Sequence, residues 1–234
     1  GYSDIAIGTS RLFGFDLKQN FATPYFSRDI AEFWRRWHIS LSTWFRDYLY
    51  IPLGGSRGGT WMKVRNTFAI FLVSGFWHGA NWTFIIWGAL NAIYFLPLLL
   101  TNSNRKNLGV VAEGKLLPSL RDLFAMLTTF MLTVFAWIFF RANNIDHAIN
   151  YISSMLSFSL FEMPKNIEFR QVLITIIFVL IFLLIEWIGR NKEYSFQVIK
   201  SKSRFLQYLI IYILLLVIML FMHTGQQEFI YFQF

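Results

Sequence analysis

The sequence contains no cysteine, and this absence excludes several kinds of chemistry at once. A chain without thiols forms no disulfide, has no cysteine nucleophile and offers no cysteine ligand to a metal. Four histidines are present, but no two of them are four residues apart and no HExxH motif occurs. Because helical metal sites use such spacings, the sequence predicts no metal site.

Charged residues are also scarce. They make up 15% of the 234 residues, whereas hydrophobic residues make up 56%. Soluble domains carry about 25% charged residues and a smaller apolar share. The net charge of +8 is explained by basic cytoplasmic loops and contact with anionic lipids more simply than by nucleic acid. We therefore expect an all-α, polytopic helical membrane protein that contacts membrane lipid and binds no nucleic acid.

Three apolar runs, residues 123–140, 172–188 and 205–222, are each about long enough to cross a hydrocarbon core ~30 Å thick as a helix. Three loops, residues 56–65, 101–122 and 190–204, are rich in lysine and arginine. The positive-inside rule places all three loops in the cytoplasm. The spans predicted between them are even in number, which leaves the carboxyl-terminal tail, residues 223–234, on the outside.

Residues 66–100 predict a different arrangement. As one helix they would extend roughly 52 Å, which is too long for a single crossing, and two full crossings need about 40 residues plus a turn. Gly75 and Gly79 make a tight break sterically easy. We expect a short helix up to about Trp77, a break at His78-Gly79 and a fuller helix from about Trp82. Irregular backbone at membrane depth needs cover from protein or a water-filled cavity, so His78 is expected to face a cavity.

Residues 28–49 have apolar and polar side chains on opposite faces of a helix. This pattern predicts one amphipathic helix in the membrane interface, capped by Ser27, with Arg28, Glu32, Arg35 and Arg36 on its polar face. His38 lies at the edge of the apolar face. Residues 146–157 predict a second, weaker surface helix.

His78 is the first candidate for chemistry. One interpretation is a packing histidine that hydrogen-bonds a neighbouring helix. The other is catalytic: burial disfavours the charged form of an imidazole, and a neutral imidazole can accept a proton from a hydroxyl. No Ser–His–Asp arrangement is visible, so direct general-base catalysis fits better than a covalent serine.

The remaining candidates have ordinary alternatives. His38 is either an interfacial imidazole among tryptophans or a group that binds the donor or positions an acyl carbonyl. His147 is expected at the surface and His223 at a membrane interface. Arg35 and Arg36, with Arg46, are lipid-facing charges or ligands for a donor phosphate, since guanidinium groups suit phosphate.

Two blocks, "FWRRWHISLSTWFRDYLYIPLGG" and "SGFWHGANWTFIIWG", resemble the signature blocks of the membrane-bound O-acyltransferase (MBOAT) family. The similarity is closest to the branch with alginate O-acetyltransferase and the D-alanyl transfer protein of teichoic acid modification. The first block carries His38 and the second carries His78. Since family members are longer, the resemblance implies that residues 1–234 are the carboxyl-terminal part of a single MBOAT membrane domain whose amino-terminal spans are absent.

The resemblance also implies a function. His78 would be catalytic and His38 the second family histidine. The reaction would move an acetyl or similar acyl group from acyl-CoA or an acyl-carrier thioester to an exported polysaccharide or a periplasmic acyl-relay protein. No permanently bound cofactor is expected, and the location would be the bacterial inner membrane, crossed several times. The substrates would be bound by the following residues: Trp77, Asn81, Trp82, Trp37, Arg35 and Arg36.

Two other classes stay open. A transporter or flippase usually shows carboxylates within its spans and an inverted repeat, whereas only Glu186 comes close here, near the end of a span. A scaffold of a polysaccharide export complex that catalyses nothing is the third class.

Overall fold

The computed structural model describes residues 2–158, 168–201 and 203–221, and all regular structure in these residues is helical. The chain divides into two units, residues 1–164 and 165–234. The first unit contains the helices α1 to α7, and the second contains α8 and α9. Their bounds are α1 Tyr2–Leu12, α2 Ile30–Arg36, α3 Ile39–Phe45, α4 Gly59–His78, α5 Trp82–Leu100, α6 Leu120–Arg141, α7 Ile145–Met155, α8 Phe169–Gly189 and α9 Arg204–Phe221.

Four of these helices, α5, α6, α8 and α9, are long and apolar enough to cross a membrane. Helices α6 and α8 contain the first two apolar runs, α9 contains residues 205–221 of the third, and α5 is the fuller helix that the sequence predicts. The all-α fold of a polytopic helical membrane protein is therefore confirmed in the described part of the chain. The tail at residues 223–234, which includes His223, lies outside the described residues.

The sequence predicts a short helix before the break. The helix found there, α4, begins at Gly59 and has 20 residues. The structure explains how its polar first turns are accommodated. Arg65 donates to the carbonyl of Leu53 at 2.9 Å, and Asn66 donates to the carbonyl of Gly55 at 2.9 Å. These bonds tie the start of α4 to the preceding turn, so the helix extends into a segment whose charge indicates a loop. The predicted break between α4 and α5 is confirmed.

Helices α4 and α5 pack through glycines on facing sides. A Cβ atom on Gly75 would collide with the backbone carbonyl of Phe84, and one on Gly88 would collide with that of Phe71. Such small residues let two helix backbones approach closely, which is how membrane helices gain packing energy. The end of α4, where His78 lies, is therefore held against the first turns of α5.

The single amphipathic helix predicted over residues 28–49 is wrong. The chain forms α2, a break at His38 with φ of 46°, α3 and a π-helical turn at Arg46–Tyr50. A segment distant in sequence stabilises the break. The amide of Ile39 donates to the carbonyl of Asn20 at 2.9 Å, and Ala22 donates to the carbonyl of Arg36 at 2.9 Å. These bonds replace the helical ones, so the chain turns at His38.

The cap of α2 also differs from the expectation. Asp29, not Ser27, is the N-cap, and its carboxylate accepts the amide of Glu32 at 2.7 Å. The Ser27 hydroxyl instead donates to the carbonyl of Pro24 at 2.6 Å. The second surface helix is confirmed as α7, which begins one residue earlier than predicted and is capped by Asn144.

Glu32 corrects the expectation that the polar face of α2 is exposed, because its side chain is 1% exposed. It lies between Arg28 and Arg36, each 3.0 Å away at the nearest approach. Both arginines also donate to the carbonyl of Gly109. This cluster fastens α2 to the loop that joins α5 and α6.

Candidate active site

His78 is the last residue of α4, and the chain turns directly after it. Gly79 has φ of 156°, a value that residues with a side chain rarely adopt, and a Cβ there would lie 2.8 Å from the ring of Phe84. Three residues separate α4 from α5. The turn leaves the half-buried imidazole of His78 at the end of a rigid helix.

Aromatic rings surround the imidazole of His78. The centroid distances are 4.9 Å to Phe140, 5.0 Å to Trp77, 5.3 Å to Trp87 and 6.1 Å to Phe84. These residues come from α4, α5 and α6, so the site is built by tertiary packing. No hydrogen bond to either ring nitrogen of His78 is found among the described residues. The arrangement suits an imidazole that accepts a proton directly from a substrate.

His38 lies at the break between α2 and α3. Its ring is 6.0 Å from that of Phe21, and its Nδ1 is buried with no hydrogen-bond partner among the described residues. Burial lowers the pKa of His38 below its ordinary value, so the ring stays neutral near pH 7.

A chain of aromatic rings links the two histidines. Trp37, the neighbour of His38 in sequence, contacts Trp137 at 5.3 Å, and Trp137 lies one turn before Phe140, which contacts His78. That the two histidines form one site stays a prediction.

The predicted substrate-binding tryptophans have different surroundings. Trp77 contacts His78, and Trp37 stacks on Phe33 at 5.5 Å beside His38. Trp82 is 71% exposed, and Trp87, on the same helix α5, contacts His78 instead. Their contacts with substrates stay predictions.

Asn81 has a clear structural task. Its side-chain oxygen accepts the amide of Thr83 at 3.1 Å, which caps α5, and its amide donates to the carbonyl of Asn143 at 2.9 Å. Asn143 lies in the turn between α6 and α7. The break beside His78 is therefore tied to that turn, and substrate binding by Asn81 stays a prediction.

Arg35 and Arg36 are held by the protein itself. Arg35 donates to the carbonyls of Asn104 and Asn107 at 3.0 and 2.7 Å. Arg36 pairs with Glu32 and donates to Ala22 at 3.3 Å. Both guanidinium groups therefore hold loops in place, and a second task at a donor phosphate stays a prediction.

Sequence reasoning missed Trp87 and Phe140 in the surroundings of His78. Trp87 lies on α5 one turn after Phe84, a spacing that places both on one helix face. This local signal could have identified Trp87 once the break was known. Phe140 comes from α6, and no local pattern connects it with His78.

A cavity of about 260 Å³ lies between the π-helical turn, α4, α5 and the loop after α5. Arg46 and Arg105 lie in its wall on the side of the basic loops, and Phe71 and Phe95 line its apolar part. Trp34, also in the wall, has its ring 5.8 Å from that of Trp87, which in turn contacts His78. Trp34 therefore links the wall of the cavity to the aromatic rings around His78.

Comparison with known proteins agrees with these features. Residues 1–109 match a family model described as the membrane-bound O-acyltransferase family. The chain is 41% identical to the probable alginate O-acetylase of Pseudomonas aeruginosa over 207 residues, which are 87% of this chain and 37% of that protein. It is 43% identical to the peptidoglycan O-acetyltransferase of Helicobacter pylori, over 67% of this chain and 28% of that protein.

A more distant relative is the teichoic acid D-alanyltransferase of Bacillus subtilis, 31% identical over 63% of this chain and 38% of that protein. The chain thus spans less than two-fifths of the length of these curated relatives. Both blocks quoted from the sequence lie inside residues 1–109. Residues 1–109 are therefore similar to the membrane-bound O-acyltransferase family, and the chain is similar, over part of their length, to the alginate O-acetylases.

Proposed function

We propose that this chain is the histidine-bearing part of a membrane O-acyltransferase that moves a small acyl group from a thioester to a hydroxyl. The observation that carries the proposal is His78, which lies at a helix break among aromatic rings from α4, α5 and α6. The names of the relatives support acetyl as the group and an exported polysaccharide, such as alginate, as the final acceptor.

The proposed step begins when the substrate hydroxyl donates its proton to a ring nitrogen of His78. The hydroxyl oxygen attacks the thioester carbonyl carbon, a carbon–oxygen bond forms, and the carbonyl oxygen takes the negative charge. The carbon–sulfur bond then breaks, and the imidazolium returns its proton to the leaving thiolate. The products are an ester and a free thiol. His38 lines the donor side of this site, where a neutral ring adds no charge that would oppose protonation of His78.

The cavity beside Trp34 supports a route for the donor. Acyl-CoA and acyl-carrier thioesters share a phosphate and a slim thioester arm. Arg46 and Arg105 suit the phosphate, and the apolar wall suits the arm. The charge of the basic loops supports a cytoplasmic position for this cavity. The whole protein would then cross the bacterial inner membrane several times and deliver the acyl group to a polysaccharide or an acyl-relay protein outside.

The test replaces His78 with glutamine in the full-length protein, purified and supplied with a defined thioester donor and acceptor. Glutamine keeps a hydrogen-bonding side chain but cannot take the proton, so acyl transfer should fall by at least about 100-fold. Membrane insertion and detergent-solubilised size should match the parent, because the change adds no charge. If His78→Gln transfers acyl groups at nearly the parental rate, His78 is a packing residue. If the purified parent transfers no acyl group, the transporter and scaffold classes regain their place.

A further inference from the structure

A second cavity, of about 400 Å³, lies between α6 and α7. We call it the α6–α7 groove. Its apolar wall comes from α6, and its polar groups lie at the end of α6 and along α7. The residues that define it are Val134, Trp137, Ile138, Arg141, His147 and Tyr151.

The groove runs along α6 from the charged end of the helix toward its apolar middle. This helix is long and apolar enough to cross a membrane, and Arg141 is its last residue. Val134, Ile138 and Arg141 share one helix face, since they are four and three residues apart. At 1.5 Å per residue, Val134 lies roughly 10 Å below Arg141 along the axis. A crossing by α6 therefore places the cation at the depth of lipid headgroups and the apolar wall at the depth of acyl chains.

The two walls of the groove are held in place by the protein itself. Trp137 packs against Trp37 behind it, with ring centroids 5.3 Å apart. Asn144 caps α7 by accepting the amide of His147 at 2.8 Å. Ala148, on the next residue of α7, is fully buried, so α7 packs closely on its neighbours. Because the groove is already formed, a ligand needs to order little of the protein when it binds.

Three hydrogen-bond donors line the polar part of the groove. The guanidinium of Arg141 is exposed, and it has no ion pair or hydrogen bond within the part of the chain that the structure describes. The Nδ1 atom of His147 accepts the amide of Asn143 at 3.4 Å, so the proton of the neutral ring lies on Nε2, which can donate it. The phenol of Tyr151 is the third donor. No lining residue among those described is acidic, and Asp146, the nearest acid along the chain, is not in the wall. The polar part therefore suits an anion.

We infer that the α6–α7 groove binds an anionic phospholipid, with its phosphate on Arg141 and an acyl chain along Val134 and Ile138. A guanidinium holds two phosphate oxygens through parallel hydrogen bonds, and basic pockets between membrane helices bind anionic headgroups. A zwitterionic lipid also brings a cation, for which the described wall has no carboxylate. Tryptophan and tyrosine, present here as Trp137 and Tyr151, are the side chains typical of the headgroup level. This lipid is a ligand separate from the acyl donor and acceptor, so its binding does not depend on the proposed function.

The test locates the lipid and compares competitors for its site. The full-length protein in nonionic detergent is labelled with a phosphatidylglycerol that carries a photoreactive group near the top of one acyl chain, and the labelled peptides are identified by mass spectrometry. Label is expected within residues 134–141 and 147–151. Unlabelled phosphatidylglycerol should compete about tenfold better than phosphatidylcholine with the same chains, the difference expected for one charge-assisted contact at an exposed site. Glycerol phosphate, which has the phosphate but no chain, should not compete at the same concentrations.

Charge variants then test Arg141. Arg141→Gln should remove the preference for phosphatidylglycerol while label stays in the groove, because the apolar wall is unchanged. Arg141→Lys should keep part of the preference. The matched control is Arg121→Gln, which removes the same charge from the first turn of the same helix and should keep the parental preference. The size-exclusion profile in detergent checks that each variant is folded, and the comparison of competitors uses the parent alone, so it stands even where a variant fails to fold.

The inference is overturned if no label appears in the groove, the result expected when another segment of the full-length chain fills it. It is also overturned if phosphatidylcholine or glycerol phosphate competes as well as phosphatidylglycerol does. Among the variants, a folded Arg141→Gln that keeps the preference, or an Arg121→Gln that loses it equally, contradicts the assignment of the phosphate to Arg141.

Discussion

Glu32→Gln tests the buried cluster that fastens α2 to the loop after α5. The two carboxylate oxygens of Glu32 accept five hydrogen bonds. Arg28 donates three of them, from its backbone amide, Nε and Nη2, and Arg36 donates two, from Nε and Nη2. Glutamine keeps one of the two oxygens. Its NH2 group replaces the other oxygen and cannot accept a hydrogen bond from the arginine N–H groups that it would face.

The magnitude follows from the burial of the carboxylate. Breaking a buried ion pair by removing one partner costs about 3–5 kcal/mol, because the remaining charge is left without compensation. The lower end applies here, since the retained oxygen still accepts and each arginine side chain is 14–15% exposed. A loss of about 3 kcal/mol corresponds to a fall in Tm of roughly 6–12 °C for a domain of this size.

The assay is thermal unfolding of the purified full-length protein in detergent, followed by the loss of the monodisperse size-exclusion peak. Asp47→Asn is the control, since it neutralises a carboxylate that is paired with Arg46 at 2.7 Å on the surface. Water and salt screen such pairs, so its unfolding temperature should stay near that of the parent. If Glu32→Gln unfolds at the same temperature as Asp47→Asn, the cluster does not stabilise the protein and the reasoning fails.

Two further predictions concern the packing of α4 on α5 and the cavity beside Trp34. Gly88→Ala should destabilise the protein by about 1–3 kcal/mol and lower acyl transfer, because the added Cβ would force α5 away from Phe71. The control is Gly8→Ala, which has open space around it, in the same unfolding and transfer assays. Arg105→Gln should raise the KM of a phosphate-bearing thioester several-fold at unchanged kcat. Lys106→Gln, in the same loop but outside the cavity wall, should leave the KM unchanged. Equal KM values for both variants would show that Arg105 does not bind the donor.

The sequence predicts the long helices well because the bilayer fixes their length and apolar composition. The break at Gly79 is predicted for a similar reason, since neither one nor two ordinary crossings fit residues 66–100. The sequence does not predict the turn at His38, because the residues that form its hydrogen bonds, Asn20 and Ala22, lie well before it in the chain. A helical wheel shows only which residues of one helix share a face, and it gives no contact with other segments.

The site shows the same division between local and distant information. His78 and His38 are identified from their own blocks, but the contacts that link their surroundings, Trp37 with Trp137 and His78 with Phe140, depend on tertiary packing. Phe140 enters through α6, which no pattern near His78 reveals. The sequence predicts Glu32 only as part of a polar helix face, and its burial is possible because Arg28 and Arg36 compensate the charge.

The left-handed backbone of His38 has a consequence for how its side chain can be studied. A residue other than glycine or asparagine pays about 1–2 kcal/mol for φ near 46°, so alanine at this position changes the imidazole and keeps the strain. Glycine would remove the imidazole and relax the turn as well, which could shift the α2–α3 corner by itself. Asparagine tolerates this conformation while it offers polar atoms in place of the ring. His38→Asn is therefore the substitution that separates what the ring does for acyl transfer from what the corner does for the path of the chain.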